Sequence, residues 1–158
     1  MFIDPFYRPQ PIVVPPRKKL LSWKLPKLDA LHWKMFSRWV RLKSADPATG
    51  MVRCFICGVM HHWTNMQCAH YVRRGHGATR YSVLNNHACC VRCNIHLDGN
   101  LQEYKKRLNF VYGKGTAAKL EYLGKQTIKI DRLDYIESIC DLERKLRQYE
   151  QETATNED

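Results

Sequence analysis

Apolar residues first recur at helical spacing over residues 28–45, where Leu31, Met35, Trp39 and Leu42 fall on one stripe and Lys34, Arg38, Arg41 and Lys43 cover the rest. This predicts an amphipathic, basic helix, ended by the turn-forming run ADPATG. Over residues 51–100 the helical period is lost, and short strands and loops are predicted. After Asn100, a predicted N-cap, LQEYKKRLNFVYG reads as a helix stopped by Gly113, and a second short helix runs from near Thr116 to Gly124. The last helix begins at Asp131, with Asp134 three residues on, and carries Leu133, Ile136, Cys140 and Leu146 as its apolar stripe. ETATNED predicts a frayed acidic tail. Upstream, residues 1–27 hold Pro5, Pro9, Pro11, Pro15, Pro16 and Pro26 around the basic run Arg17, Lys18, Lys19, which predicts an extended arm. There is no internal repeat. The expectation is therefore an arm over residues 1–27 and one α+β domain over 28–158, made of a helix (28–45), a compact core (51–100) and a helical part (101–150).

Composition sharpens this picture. A chain of 158 residues suits one compact domain with its own core. Its formal charge is +11, from 26 Lys and Arg against 15 Asp and Glu, and nucleic acid is the first partner such a balance suggests. The apolar stretch FIDPFYRPQPIVVPP is broken by five prolines and by charges, so neither a signal peptide nor a membrane span is predicted. A soluble, cytoplasmic protein is expected. Seven cysteines without a secretory signal point to thiols kept free for metal rather than to disulfides.

Four of those cysteines form two CxxC pairs, Cys54/Cys57 in RCFICG and Cys90/Cys93 in CVRC. That pairing matches a tetrahedral four-cysteine zinc site, in which each knuckle presents two thiolates at about 2.3 Å from the ion. A redox CxxC would instead sit on the strand-to-helix turn of a βαβ unit, and no such pattern surrounds these pairs. Between Cys57 and Cys90 lie 32 residues, more than the roughly 15–20 of a simple zinc ribbon. A structural Zn²⁺ would then staple the two ends of an inserted segment. Cys68, Cys89 and Cys140 read as small buried hydrophobes, with Cys89 close enough to serve as an alternative thiolate.

The order of CxxC, a histidine in MQCAHY, an asparagine five residues before the second CxxC and a polar residue directly after the last Cys resembles the zinc-bearing HNH (ββα-metal) nuclease motif. More narrowly, WVRLKSADPATGMVRCFICG, MQCAHY, ATRYSVLNNHACCVRCNIHLDGN, LQEYKKRLNFVYG and KGTAAKLEYL are similar to the phage recombination endonucleases called NinG or Rap, from about Phe36 to the C-terminal helix. The resemblance implies a small zinc-stapled ββα-metal core with flanking helices, in a Mg²⁺- or Mn²⁺-dependent endonuclease acting on branched DNA such as Holliday junctions or D-loops. It also implies action in the host cytoplasm if the chain is phage-encoded. His70 would be the general base, a role that suits a side chain largely neutral at physiological pH. Asn85, with Asn86 as its rival, would orient the base or order its loop, and Asn94 would help hold the catalytic ion. One departure stands out: Ala69 precedes His70 where many such sites have an acid. Gln67, His87, His96 and Asp98 are the other candidate ligands, Asp98 sharing a face with Asn94 if a helix continues past Gly99.

Arg73, Arg74 and Arg80, which flank the loop RRGHGATR, are candidate DNA contacts, with Lys18, Lys19, Arg38 and Arg41 widening the footprint. A two-fold junction suits a homodimer, formed through the last helix or the helix around Trp39. The alternative reading is a zinc-stapled DNA-binding accessory protein without catalysis.

Overall fold

The computed structural model describes residues 10–75 and 77–155; Pro5 and Pro9 of the arm, His76 and the last three residues fall outside them. Within the described part the arm is not wholly extended. Arg17–Leu20 closes one helical turn (α1), with the Lys19 and Leu20 N–H groups bonded to the Pro16 carbonyl at 2.8 and 3.2 Å. Pro16 at φ −53° already has the torsion that a helix start needs, and the fully buried Leu20 anchors the turn. Pro26 acts in the same way in α2, Leu25–Leu42, which therefore starts before the predicted boundary. Proline in a first turn sacrifices no hydrogen bond, and this is why proline density did not keep the segment extended.

Two antiparallel hairpins follow. In the first, β1 (Met51–Arg53) pairs with β2 (Met60–His62), Met51 lying opposite His62. In the second, β3 (Met66–His70) pairs with β4 (Asn86–Cys90), so that Met66 faces Cys90 and His70 faces Asn86. Each sheet has only two strands. Every residue of β4 is buried, and the Phe55 N–H binds the Ala88 carbonyl at 2.9 Å, which couples the hairpins. A single helical turn, α3 (Gly77–Arg80), lies in the β3–β4 connection.

The remaining helices are α4 (Leu101–Tyr112), α5 (Thr116–Gly124) and α6 (Arg132–Thr155). Asp131 and Asp134 bind each other's backbone N–H at 2.8 and 2.9 Å, a reciprocal cap at the start of α6. Asn100 does not cap α4. It adopts a left-handed conformation (φ 43°) and its amide points instead to Cys93 Sγ. In α6 the predicted Leu133 stays half exposed, and the buried stripe is Tyr135, Ile136, Ile139, Leu142 and Leu146. The architecture is a mixed α+β fold with two small sheets and flanking helices. No helix among the described residues is long and apolar enough to cross a membrane.

α2 packs on α6 and on the β3–β4 hairpin. The pairs Asp29–Tyr135, His32–Ser138 and Trp39–Lys145 advance together along both segments, so α2 and α6 run parallel. His32 lies inside this contact, its Nε2 2.7 Å from Ser138 Oγ and its ring edge-on to Tyr81. Burial lowers its pKa from 6.5 to about 4, opposed by the nearby Asp29 carboxylate. Between those two values the unfolded chain binds more protons than the folded one, so stability falls as pH drops through this window. We predict that His32→Gln makes the fall shallower by up to about 1.4 kcal/mol per pH unit, read from denaturant unfolding at several pH values.

Candidate functional site

Cys54 and Cys57 sit in the β1–β2 connection, which is tightened by Cys54 N–H to Val59 O (2.8 Å) and Gly58 N–H to Cys54 O (2.9 Å). Gly58 takes φ +78°, a torsion that favours glycine. Cys90 ends β4, and Cys93 lies in the five-residue helical turn Arg92–His96 that follows. The four sulfurs lie within 4.8 Å of one another, with Cys57 and Cys90 3.7 Å apart. A tetrahedral zinc with bonds of about 2.3 Å has edges of about 3.8 Å, so this donor set fits the ion. Among the described residues no other group of three or more His, Cys, Asp or Glu side chains converges in this way.

The Cys54 thiol is pulled down to about 4, chiefly by a hydrogen bond from Cys89 and then by the N–H groups of Cys57, Cys90 and Ile56. Cys89 lies outside the cluster, and burial pushes its own thiol up. It supports a ligand rather than replacing one. Cys68 is also pushed up by burial, to about 12, and Cys140 is half-buried.

Asn85 is fully buried and closes the loop between β3 and β4. Its Oδ1 accepts from Val72 N–H at 2.7 Å, while Nδ2 donates to the Val72 and Thr79 carbonyls at 2.9 and 3.1 Å. Asn86 reinforces it by donating to the Arg80 and Ser82 carbonyls at 3.0 and 2.8 Å. The two amides share the ordering of this loop.

His70 sits at the end of β3, its ring stacked on Trp33 of α2 at 5.1 Å. Its Nε2 lies 3.1 Å from the Arg80 carbonyl. A carbonyl only accepts, so Nε2 carries the proton. Burial lowers the ring's pKa to about 4, opposed by that hydrogen bond and aided by Arg74 and Arg80. The imidazole is therefore neutral at pH 7, with its lone pair on Nδ1. The Arg80 backbone is fixed in turn by Asp29 of α2, whose carboxylate accepts from the Arg80 guanidinium (2.7 Å), Tyr81 (2.5 Å) and Tyr135 (2.9 Å).

Side chains alternate along β3, so Gln67 shares a face with Ala69 and His70 shares the other with Cys68. Asn94 Nδ2 donates to Gln67 Oε1 at 2.5 Å, which brings these two candidates together beside a cavity of about 700 Å³ lined in part by Gln67, Thr64, Asn65, His61 and Arg92. His70 makes no direct contact with Asn94 among the described residues.

Three other ligand candidates lie elsewhere. His87 is buried against Phe55, with Nδ1 2.9 Å from Tyr104 Oη and Nε2 2.8 Å from Tyr112 Oη. Both nitrogens are engaged and burial drops its pKa to about 3, so it is a core histidine and not a metal ligand. The helical turn ends before Asp98, which takes φ 46°, so the shared face with Asn94 does not form. Asp98 instead pairs with Arg73 at 3.3 Å, and His96 is exposed.

The proposed DNA contacts divide in two. Lys18, Lys19, Arg73 and Arg74 are exposed, the Arg74 guanidinium lying 4.3 Å over Trp33. Arg38 is buried instead, donating to the Gln10 carbonyl at 2.9 Å and pairing with Glu150 at 3.6 Å. Arg41 donates to the Ser37 and Met66 carbonyls at 3.0 and 3.3 Å, and burial lowers its pKa. Both guanidinium groups lie over Trp63, at 5.6 and 5.4 Å, so their charge is used inside the fold. Asp29 and Trp33 were not anticipated from the sequence. Asp29 is an acid in a basic helix, and that oddity was the available signal.

Cys54→Ser should lose zinc and melt the central hairpins, since a structural zinc site contributes folding free energy directly. The measurements are zinc content and thermal unfolding; unchanged values in the variant would reject the staple.

A family model described as Bacteriophage Lambda NinG protein matches residues 17–152, which extends the recognised similarity upstream of Phe36 to include α1 and all of α2. No curated protein and no solved structure matches the chain. With the match covering both thiol pairs, the hairpin and all six helices in whole or in part, the chain belongs to the bacteriophage lambda NinG family.

Proposed function

We propose that the protein is a metal-dependent DNA endonuclease of the HNH type that cuts branched recombination intermediates, Holliday junctions or D-loops, with water activated by His70. The observation that carries this reading is the state of the imidazole, whose Nε2–H is spent on the Arg80 carbonyl and whose Nδ1 keeps its lone pair. Phosphodiester hydrolysis needs a base that is unprotonated at working pH. A pKa near 4 makes the free enzyme's base weak, and an incoming phosphate anion raises it toward that pH. Arg74 lies 4.3 Å over the same Trp33 ring, exposed and able to fork onto a phosphate.

The amide oxygens of Gln67 and Asn94 would hold Mg²⁺ or Mn²⁺, which would neutralise charge developing on the leaving oxygen. Among the described residues β3 pairs with β4 alone, and its Met66 carbonyl accepts from Arg41 of α2 at 3.3 Å. The NinG resemblance supports the branched substrate, and the two-fold character of a junction supports a homodimer working in the host cytoplasm. The exposed Lys18, Lys19 and Arg73 suit a polyanion.

One observation favours a second reading, a zinc-stapled DNA-binding accessory protein without catalysis. Among the described residues no carboxylate hydrogen-bonds to Gln67 or Asn94, and neutral amides hold a divalent ion weakly. Cleavage of synthetic four-way junctions, D-loops and linear duplex with Mg²⁺ or Mn²⁺ separates the readings. His70→Ala should cut junctions at least about 100-fold more slowly while binding them unchanged. Tight binding by wild type without cleavage in either metal establishes the accessory role, and equal cutting of linear duplex removes the branch specificity.

A further inference from the structure

The stretch from Leu101 to Ile130 holds seven cations, Lys105, Lys106, Arg107, Lys114, Lys119, Lys125 and Lys129, and only two acids. Both acids are already satisfied: Glu103 pairs with Lys106 at 2.7 Å, and Glu121 with Lys105 at 3.1 Å and with the Tyr71 hydroxyl. Arg107, Lys114, Lys119, Lys125 and Lys129 form no ion pair among the described residues, although Lys125 lies near enough to Glu121 to lower its pKa. In the same stretch Phe110 is 79 % exposed and Tyr122 65 % exposed.

Helical spacing explains where these rings point. In α4 the buried positions are Tyr104 and Leu108, and Phe110 lies on the opposite side; in α5 they are Ala117, Leu120 and Gly124, and Tyr122 is again opposite. The two helices are tied by Asn109 Oδ1 to Ala117 N–H (3.1 Å) and Thr116 Oγ1 to the Tyr112 carbonyl (3.1 Å). The Arg107 guanidinium lies 5.5 Å from the Phe110 ring, and its Nε is buried without a hydrogen-bond partner.

We propose that the outward face of the α4–α5 pair binds an unpaired DNA strand, with a base stacked on Phe110, the adjoining phosphate on Arg107 and a further base on Tyr122. A single exposed aromatic would mean nothing. Here two largely exposed rings are interleaved with five cations that form no ion pair among the described residues, and an unpaired strand supplies a flat π-face and a negative charge with every nucleotide. Duplex DNA hides its base faces inside the stack, so the bare rings select the unpaired strand. An apolar protein partner would have to desolvate the five cations, and an acidic one would leave the rings unused. This surface involves neither His70 nor the amide pair, so it stands apart from the proposed cutting site.

The test uses full-length, zinc-loaded protein in buffer without Mg²⁺ or Mn²⁺, so that no cleavage enters. Fluorescence anisotropy measures binding to an oligo-dT strand and to a duplex of the same length. Phe110→Ala and Tyr122→Ala should each weaken strand binding by about fivefold or more, with Phe110→Trp restoring it. Duplex affinity and melting temperature should hold, because both side chains are exposed. Unchanged strand affinity in the double alanine variant overturns the proposal. So does an equal loss on duplex, or a change in solution mass by light scattering, which would make the face a contact between copies of this chain.

Discussion

The convergence of four sulfurs within 4.8 Å is the constraint on which the central third of the molecule rests. Strands of three and five residues in two-stranded sheets do not hold themselves together in water. Drawing the β1–β2 turn onto the end of β4 gives both hairpins a common anchor, and the Phe55 to Ala88 hydrogen bond extends that anchor into the second sheet. A metal-sized cluster adds to the apolar burial of the small sheets, whose Val52, Met66, Ala69 and Ala88 lie in the core. The same geometry fixes the direction in which β3 runs, and with it the position of His70.

Around this anchor the buried polar groups are satisfied in one direction only. Tyr112 donates to His87 Nε2, His87 Nδ1–H donates to Tyr104, and Tyr104 donates to the Ala69 carbonyl, a chain that works only with a neutral imidazole. His70 obeys the same logic through the Arg80 carbonyl. Two histidines on adjacent strands are thus held in opposite tautomers, one closed off by tyrosines and the other with a nitrogen left over. Burial lowers both, yet only His70 retains an unspent lone pair.

Features encoded over a few residues were legible in the sequence. The CxxC pairs, the Asp131–Asp134 cap and the turn at Gly113 each depend on local spacing, and Asn85 was marked by its distance from Cys90. What escaped depends on long-range packing. Arg38 and Arg41 read as solvent-facing cations, because a charge pattern does not reveal that Trp63 and the Met66 carbonyl will come to meet them. His87 read as a ligand candidate because two tyrosines 17 and 25 residues away complete its surroundings. Asp29 stood out as an acid in a basic helix, but its partner Tyr135 is 106 residues away, so its role did not show locally.

The parallel pairing of α2 with α6 carries a consequence for biosynthesis. Leu28 and Met35, which are fully buried in the finished protein, leave the ribosome about a hundred residues before Ile136 and Ile139. The chain between them has time to gather its thiols and close both hairpins before α6 covers its side of α2. Until α6 emerges, the side of α2 that it covers stays bare while the side that packs on the β3–β4 hairpin is already closed.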